Sequence, residues 1–298
     1  MANSRPLVSV ISVNYNEPEE TREFLKSLYK SDYPNFETII VDNGSKRKVE
    51  KKLEKLYPNL TCIISKKNLG FAGGNNLGID LAKGEYFVFL NNDTLVPSDF
   101  IKIMVRFIQQ NPNVGIASPR LVFQNGKIQY AGSTNLNSFT GRGKRIGFNE
   151  EDKGQYNRNY RTDLTHGAAM IVPKKVVDRV GKMHEQYFLY YEELDWCTRI
   201  KNNGFEAYYI VETYVIHKES VSVGIESPLK TYYMSRNRIL YLRRNSYGLY
   251  KVSSIVFYCI FGTLKSSVVF LYFRKINLLK NLWRGVLWHL DKKYVFKG

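Results

Sequence analysis

Asp93 is a residue whose type and position could support chemistry. It ends the polar triplet Asn91, Asn92 and Asp93, which directly follows the apolar segment Tyr86–Leu90. Such a run is typical of a strand that is buried on both faces, and the ligands of open α/β sheets bind at the carboxyl ends of the strands. A carboxylate at that end is a suitable oxygen ligand for a divalent cation. The alternative is a polar turn that only leads into the next helix.

His217 is a second candidate, because it follows a strand-like stretch at residues 214–216. An imidazole acts as a metal ligand only when partners lie nearby, and the partner that His217 needs is Asp93. The alternative is a histidine that ends a strand with its hydrogen bonds satisfied.

Three carboxylates, Glu192, Glu193 and Asp195, lie in the first turn of a predicted helix. The helix dipole favours acids there, and Asp195 can pair with Arg199 four residues later, which predicts a structural role for Asp195. Glu193 also follows the aromatic segment at residues 187–191. A carboxylate kept ionised at a helix N-terminus is a usable general base. We therefore predict Glu193 as the base, with Glu192 as the alternative.

The elements around these residues alternate strand and helix. Strand patterns occur at residues 7–13, 36–41, 61–65 and 86–90, and each of them ends in polar or glycine-rich residues. This alternation predicts an α/β fold with a parallel sheet and right-handed crossovers, so that the four turns lie along one edge. Gly70, Gly73 and Gly74 lack the spacing of a dinucleotide-binding or P-loop motif. Small residues before a helix can still let backbone N–H groups approach a phosphate.

Further elements follow from periodicity and composition. The patterns predict helices at residues 97–110 and 192–203, and a helix that buries Val49, Leu53 and Leu56. They also predict separate strands at residues 205–211 and 214–216. Residues 134–160, rich in Gly, Asn, Arg and Lys, are typical of a long mobile loop.

The net charge of this 298-residue chain is +17, and it is unevenly distributed. Residues 230–298 contain fourteen Lys and Arg against one acid, Asp291, and so carry +13 of the total. The partner of the positive charge is therefore expected to meet this C-terminal part. Three widely spaced cysteines indicate a reducing compartment and neither a disulfide framework nor a zinc site.

The same C-terminal part predicts contact with a membrane surface. Residues 247–273 and 276–290 combine apolar stretches with scattered Lys and Arg, as in amphipathic helices that bind an anionic surface. The alternative is that they pack on the enzyme or on a second subunit. Lys265 interrupts the longest apolar run, which argues against a spanning helix. The first residues enter a strand pattern directly, so we expect no signal peptide.

Together these residues resemble family-2 glycosyltransferases with the GT-A fold, in the bacterial rhamnosyltransferase-like branch. The resemblance covers roughly residues 7–245. It depends on the order and spacing of six motifs: residues 10–16 (VISVNYN), 41–45 (VDNGS), 68–76 (NLGFAGGNN), 90–94 (LNNDT), 188–199 (FLYYEELDWCTR) and His217.

The resemblance implies a site for each substrate. Asp93 and His217 would bind a divalent cation, Mn²⁺ or Mg²⁺, and Glu193 occupies the position of the catalytic base, where the family usually has Asp. His184, Glu185 and Gly167 would lie on the acceptor side. The nucleotide-sugar donor would contact Asn14, Tyr15, Asn16, Glu17, Asp42, Asn43, Asn68, Gly70, Phe71, Ala72, Asn75, Asn91, Asn92 and Asp93.

The predicted architecture is a GT-A catalytic domain with a mostly parallel, Rossmann-like sheet at residues 1–220, followed by a basic helical segment at residues 221–298. Residues 1–95 would form the donor-binding half and residues 96–220 the acceptor and catalytic half.

The predicted function is metal-dependent, inverting transfer from a nucleotide-diphospho-sugar, dTDP-rhamnose or a UDP-sugar, to a cell-surface polysaccharide or lipid-linked acceptor. The enzyme would be cytoplasmic and bound peripherally to the inner face of the cell membrane. The sequence leaves open whether it forms a homodimer. Two other functions compete, nucleic-acid binding through the basic C-terminal third and sugar nucleotidyl transfer. No nucleic-acid motif supports the first, and the first strand lacks the basic glycine-rich signature of the second.

Overall fold

The computed structural model describes residues 5–134, 136–218 and 227–291. The chain divides into two compact units. The first, called the α/β unit, comprises Met1–Asn135, Gly143–Phe188 and Glu192–Glu219. The second, called the helical unit, comprises Leu136–Arg142, Leu189–Tyr191 and Ser220–Gly298. The division of the first unit into donor and acceptor halves stays a prediction.

The α/β unit alternates strands and helices through its first half and becomes mixed in its second. Its strands are β1 (Val8–Asn14), β2 (Phe36–Asp42), β3 (Leu60–Ile64), β4 (Tyr86–Leu90), β5 (Thr94–Leu95), β6 (Val114–Val122), β7 (Ile128–Tyr130), β8 (Tyr160–Arg161), β9 (Ala169–Pro173) and β10 (Glu206–His217). Its helices are α1 (Pro18–Leu28), α2 (Gly70–Leu81), α3 (Phe100–Gln110), α4 (Lys174–Val180) and α5 (Glu192–Asn202), with short 3₁₀ helices at Lys51–Lys55 and Glu185–Tyr187.

One sheet holds these ten strands. Eight of them lie in the order β3-β2-β1-β4-β9-β6-β10-β5, while β7 pairs with β6 and β8 pairs with β10. β1 to β4 are mutually parallel, as predicted, whereas β9 runs antiparallel to both of its neighbours. β6 and β10 are parallel to each other, while β5 and β8 pair antiparallel with β10. The carboxyl ends of β1, β2, β3 and β4 therefore lie along the same edge.

Apolar side chains fill both faces of this sheet. On one face Phe24 of α1 and Phe100 and Met104 of α3 pack into a buried cluster. On the other face Ile79 of α2 and Trp196 of α5 do the same, and the Trp196 ring meets Phe89 edge-on at 5.5 Å. Helices on both faces of a largely parallel sheet explain why its strands read as continuous apolar runs.

Two sequence predictions about elements need correction. The helix predicted around Val49, Leu53 and Leu56 is only the 3₁₀ helix Lys51–Lys55, and Leu56 lies exposed beyond its end. The two strands predicted at residues 205–211 and 214–216 form the single strand β10, whose register against β6 shifts between Ile210 and Tyr214. The shift changes which side chains face the core, so the sequence pattern is interrupted there although the strand continues.

The region predicted as a long loop, residues 134–160, is partly tied to the sheet. Within the described residues, backbone bonds join Ile128 to Asn149 and Glu150, and Ala131 to Ile146. Isolated bridges pair Ser133 with Arg145 and Asn137 with Arg142. The sequence also gave no indication of β7 or α4.

Within residues 227–291, the helical unit has four α-helices. They are α6 (Pro228–Asn245), α7 (Gly248–Phe257), α8 (Thr263–Tyr272) and α9 (Ile276–Leu287). The π-helical turn Tyr258–Gly262 joins α7 to α8, so that Gly248–Tyr272 forms one helix of 25 residues. α6 packs so closely against α9 that a Cβ at Gly285 would overlap the Ser235 hydroxyl.

The long helix Gly248–Tyr272 is unusual in what it buries. Its buried positions include the small polar residues Ser254, Thr263 and Ser267, whose hydroxyls donate to carbonyls of the preceding turn. Its large apolar side chains are instead mostly exposed, and Leu249 is 89% exposed. By length and composition alone, and among the described residues, this helix could cross a membrane.

Candidate active site

A buried amide, that of Asn14 at the end of β1, joins the loops at the carboxyl edge of the sheet. Its nitrogen donates to Asp42 Oδ2 and to Ser45 Oγ, each at 3.2 Å. Its oxygen accepts from the Thr21 hydroxyl at 3.0 Å and from the Asn92 amide at 3.3 Å. The amide thus connects the ends of β1, β2 and β4 to the first turns of α1.

Asp42 fixes the turn that follows β2. Its two carboxylate oxygens accept backbone N–H groups, Oδ1 from Ser45 at 3.1 Å and Oδ2 from Val49 at 2.7 Å. Because Asp42 is buried and bound to backbone groups, the structure gives it a local structural role beside the predicted donor contact.

Asn43 links this turn to the start of α2. Its side chain accepts the Leu69 N–H at 2.9 Å and donates to the Gly70 carbonyl at 2.9 Å, while Asn68 accepts the Gly70 N–H at 2.8 Å. Gly44, at φ +73°, lies so close to the backbone of Lys67 and Asn68 that a Cβ would be 2.5 Å from the carbonyl carbon of Lys67. The asparagines predicted as donor contacts therefore also shape the loop that presents them.

The remaining predicted donor residues differ in accessibility. Tyr15 is exposed, whereas Asn16, Glu17, Phe71 and Asn91 are half-buried. Asn92 is also half-buried. Ala72 and Asn75 are buried, and the Asn75 amide donates to the Phe71 carbonyl at 3.0 Å. A donor molecule could reach the exposed and half-buried side chains directly.

Asp93 and His217 lie together, as predicted. Asp93 Oδ1 is 3.3 Å from His217 Nε2, and the two residues are 5% and 7% exposed. Strand pairing causes this contact: β10 ends at His217 opposite Thr94 of β5, and the Lys218 N–H donates to the Asp93 carbonyl at 3.0 Å. Asn91 approaches the same ring nitrogen at 3.4 Å.

The residues present fit a divalent cation that takes few protein ligands. His217 Nδ1 is 2.8 Å from the side-chain amide oxygen of Gln129, so the tautomer that carries its proton on Nδ1 would donate there and leave the Nε2 lone pair on the Asp93 side. A hydrogen-bonded second nitrogen is typical of metal-binding histidines. The described residues contain no cluster of three or more His, Cys, Asp or Glu that could hold a metal. A cation here would complete its coordination with substrate oxygens and water, as Mg²⁺ commonly does.

His166, Gln129 and Arg145 belong to this site, and the sequence analysis did not identify them. The ring of His166 lies 5.9 Å from that of His217. Burial holds the pKa of His166 well below its usual range, and the nearby His217 and Arg145 lower it further, against the opposing effect of Asp93. His166 directly precedes Gly167 and could have been noticed for that reason. No sequence pattern around Gln129 or Arg145 indicates that either residue belongs to a site.

Glu193 is half-buried at the start of α5. Burial raises the pKa of its carboxyl group, whereas backbone hydrogen bonds and the Arg145 charge act to lower it. Within the described residues Glu193 Oε2 has no hydrogen-bond partner. A Cβ placed on Gly167 would lie 3.4 Å from Phe71 and 3.9 Å from Glu193, so these three residues meet. Glu192 is more deeply buried, at 3% exposure.

Asp195 has the structural role that the sequence predicted. It is fully buried and accepts hydrogen bonds from Arg199 Nε at 2.8 Å and from the Tyr187 hydroxyl at 2.9 Å. His184 Nε2 lies 3.7 Å from the same carboxylate, and Glu185 accepts from Asn76 at 3.1 Å. The acceptor-side role of His184 and Glu185 stays a prediction.

The arrangement offers two chemical functions at one edge of the sheet. Asp93 and His217 can hold a cation against a negatively charged group, and Glu193, with its raised pKa, can accept a proton at a higher pH than an ordinary glutamate. Phe71, in the glycine-rich start of α2, places its ring beside Gly167, which also lies next to the Glu193 side chain.

Comparison with known proteins identifies the family. The family model described as Glycosyl transferase family 2 matches residues 9–181, which is more than half of the chain. This range begins at the second residue of β1, includes β2 to β9 and ends directly after α4.

Two relatives show similarity over most of the chain. The low-salt glycan biosynthesis hexosyltransferase Agl10 of Haloferax volcanii is 28% identical over 238 residues, covering 78% of this chain and 74% of that protein. The dTDP-rhamnosyl transferase RfbF of Shigella flexneri is 29% identical over 248 residues, covering 77% of this chain and 79% of that protein.

A solved structure shows the fold. The mannosyltransferase PcManGT of Pyrobaculum calidifontis, determined in complex with GDP-Man and Mn²⁺, matches with a TM-score of 0.60 at 16% identity. The match covers 98% of this chain and 89% of that one. The predicted GT-A fold is confirmed.

We expect Asp195→Asn to lower the free energy of unfolding by about 3 kcal/mol, because it removes one partner of a buried ion pair. Urea denaturation measures this change. Asp178→Asn is the matched control, since the Asp178 pair with Lys174 is exposed and should contribute at most about 1 kcal/mol. Equal effects of the two substitutions would contradict the structural role of Asp195.

Proposed function

The chain belongs to glycosyl transferase family 2, and from this premise we propose that it is a metal-dependent, inverting enzyme that uses a nucleotide-diphospho-sugar. The observation that carries the proposal is the pairing of Asp93 with His217 at 3.3 Å at the carboxyl edge of the sheet. Membership of this family sets aside the nucleic-acid-binding and nucleotidyltransferase alternatives.

The proposed donor is dTDP-rhamnose or a UDP-sugar, and the acceptor a cell-surface polysaccharide or a lipid-linked glycan. One relative is named for dTDP-rhamnosyl transfer and another for glycan biosynthesis. Tyr15, Asn16 and Glu17, which are accessible beside the buried Asn14, would contact the nucleotide. His184, Glu185 and Gly167 are proposed to lie on the acceptor side.

The proposed chemistry assigns a separate task to each group. A bound Mn²⁺ or Mg²⁺ would neutralise the charge that develops on the diphosphate leaving group. Asp93 and His217 would hold that cation. Glu193 accepts the proton of the attacking acceptor hydroxyl, and the hydroxyl oxygen displaces the diphosphate in one step. A single displacement inverts the anomeric centre.

We also propose that the helical unit attaches the enzyme to the cytoplasmic face of an anionic membrane. Apolar side chains are exposed along Gly248–Tyr272, while small polar residues of the same helix are buried. This distribution suits a surface that faces lipid rather than water. The Lys and Arg of residues 230–298 add electrostatic attraction to anionic headgroups.

We expect Asp93→Ala to abolish cation-dependent turnover while the protein stays folded. The variant loses the carboxylate ligand, so Mn²⁺ affinity measured by titration calorimetry with bound nucleoside diphosphate should fall together with the rate. Asp99→Ala serves as the control, because Asp99 is an exposed acid at the start of α3. Activity of Asp93→Ala close to that of the wild type would refute the metal assignment.

We expect Glu193→Gln to reduce the transfer rate by about 10²–10⁴ and to leave donor affinity nearly unchanged, since the shape of the side chain is retained. Glu192→Gln should have a milder effect. The measurement is the rate of transfer together with the donor Kd for both variants. A dead Glu192→Gln enzyme beside an active Glu193→Gln enzyme would move the base by one residue.

The pH profile of the wild-type rate provides a further check on Glu193. A raised carboxyl pKa means that the base becomes protonated at a higher pH than usual, so activity should fall as the pH decreases toward that raised value. We expect the acidic limb of kcat above the ordinary glutamate pKa of about 4.3.

We expect the full chain to sediment with anionic vesicles of phosphatidylglycerol and phosphatidylcholine, and to be released as salt increases. Leu249→Asp should weaken this binding, whereas Leu56→Asp, an equally drastic change at an exposed leucine of the α/β unit, should not. Equal retention on neutral and anionic vesicles, or none on either, would contradict the proposal.

A further inference from the structure

His166 lies in the turn that leads into β9, and hydrogen bonds fix the backbone of this turn. The His166 N–H donates to Ser118 Oγ at 3.0 Å, and the Ala169 N–H donates to the His166 carbonyl at 3.1 Å. The Ala168 carbonyl accepts the Asn91 N–H at 2.9 Å. The backbone of His166 is therefore held by β6 and by the residue that follows β4.

The imidazole of His166 has one nitrogen already bonded. Its Nδ1 accepts the N–H of Ala168 at 3.2 Å, and a backbone N–H can only donate. Nδ1 must therefore carry a lone pair, which leaves the ring neutral with its proton on Nε2. Burial, together with the neighbouring His217 and Arg145, lowers the pKa of His166, which agrees with a neutral ring.

The Nε2–H group of His166 is available to a ligand. The residue is half-buried rather than fully enclosed. Within the described residues its hydrogen bonds involve the backbone and Nδ1, and none of them involves Nε2. A neutral N–H donor that is partly accessible and has no acceptor in the surrounding protein is suited to donate to an oxygen of a bound molecule.

His166 lies between the proposed cation ligands and the proposed base. On one side its ring meets the ring of His217 edge-on, with 5.9 Å between the centroids. On the other side is Gly167, the next residue in the chain, where a Cβ would be 3.9 Å from the Glu193 side chain. In a single displacement the transferred sugar occupies the space between the leaving diphosphate, at the cation, and the attacking hydroxyl, at the base.

From this placement we propose that the Nε2–H of His166 donates a hydrogen bond to a hydroxyl of the transferred sugar. His166 would thus contribute to the choice of donor sugar. The proposal rests on the proposed function, because it takes the diphosphate to bind at Asp93 and His217 and the acceptor hydroxyl to bind at Glu193. A site that donates to a particular hydroxyl discriminates against sugars that lack it, since its donor is then left without a partner.

The test compares His166→Phe with His166→Gln in the full chain. Phenylalanine keeps a planar ring beside Tyr130 and His217 but has no N–H donor, whereas glutamine lacks the ring and offers an amide N–H. Tyr130→Phe is the matched control. It removes the hydrogen bond from the Tyr130 hydroxyl to the Leu164 carbonyl, at 2.6 Å, and keeps the ring that packs on His166.

The measurement is the Kd of a nucleotide-sugar and the Kd of the matching nucleoside diphosphate, by titration calorimetry with Mn²⁺ and without acceptor. The nucleotide-sugar is taken from a panel of dTDP-, UDP- and GDP-sugars according to which one the wild-type chain binds. We expect His166→Phe to raise the nucleotide-sugar Kd by about 3- to 10-fold, the effect of one lost hydrogen bond, and to leave the nucleoside diphosphate Kd within about twofold.

The other variants separate the donor group from the shape of the side chain. His166→Gln should recover part of the lost nucleotide-sugar affinity, because it restores an N–H donor. Tyr130→Phe should change neither Kd. His166→Ala, which also removes the donor, replaces His166→Phe if that variant does not fold.

Deoxy analogues of the same nucleotide-sugar locate the contact. The analogue that lacks the hydroxyl bound by His166 should bind the wild type more weakly than the complete sugar does, and should bind His166→Phe and the wild type equally. Each other deoxy analogue should bind His166→Phe more weakly than it binds the wild type, by the same factor as the complete sugar.

An unchanged nucleotide-sugar Kd in folded His166→Phe or His166→Ala would overturn the proposal. An equal loss of nucleoside diphosphate affinity would also overturn it, because the contact would then lie at the diphosphate or the cation. The same loss in Tyr130→Phe would assign the effect to the turn instead of the Nε2–H group. A wild-type chain that binds no nucleotide-sugar of the panel would refute the proposed function itself, so wild-type and variant binding test the two separately.

Discussion

The hydrogen bonds of the Asn14 amide hold together the edge of the sheet on which the site depends. Because the amide donates to Asp42 and Ser45 and accepts from Thr21 and Asn92, it makes the ends of β1, β2 and β4 one hydrogen-bonded structure. Buried polar groups of this kind are costly unless they are satisfied, and their satisfaction specifies one arrangement.

The electrostatics of the site follow from what this edge brings together. Asp93, His217 and His166 lie near one another in a protected environment, and Arg145 adds a positive charge that acts on both His166 and Glu193. Burial lowers the pKa of His166 and raises the pKa of Glu193, because burial favours the neutral form of each side chain. A carboxyl group with a raised pKa, such as that of Glu193, is suited to accepting a proton.

The helical unit has two properties that a simple accessory segment would not need. It exposes the apolar side of Gly248–Tyr272 and buries small polar groups, the reverse of an ordinary water-facing helix. It also contains Leu189–Tyr191, three residues that interrupt the α/β unit in sequence directly before the helix of Glu193.

The sequence by itself determined the features that neighbouring residues encode. Apolar runs specified β1 to β4, and polar residues at their ends marked Asn14, Asp42 and Asp93, because strand burial and turn chemistry are local properties. The position of Glu193 in the first turn of a helix was visible for the same reason. The spacing of Asp195 and Arg199 also predicted their ion pair correctly.

Only the tertiary structure decided which distant residues meet. The antiparallel pairing of β5 with β10 sets the distance between Asp93 and His217, and no local pattern encodes that pairing. Gln129, His166 and Arg145 enter the site through the packing of β7, β9 and the neighbouring loops, so their residue types alone gave no signal. The positive φ angles of Phe188, Tyr190 and Tyr191 were equally hidden, because aromatic side chains disfavour that conformation and long-range bonds from Phe71 and Asn237 impose it.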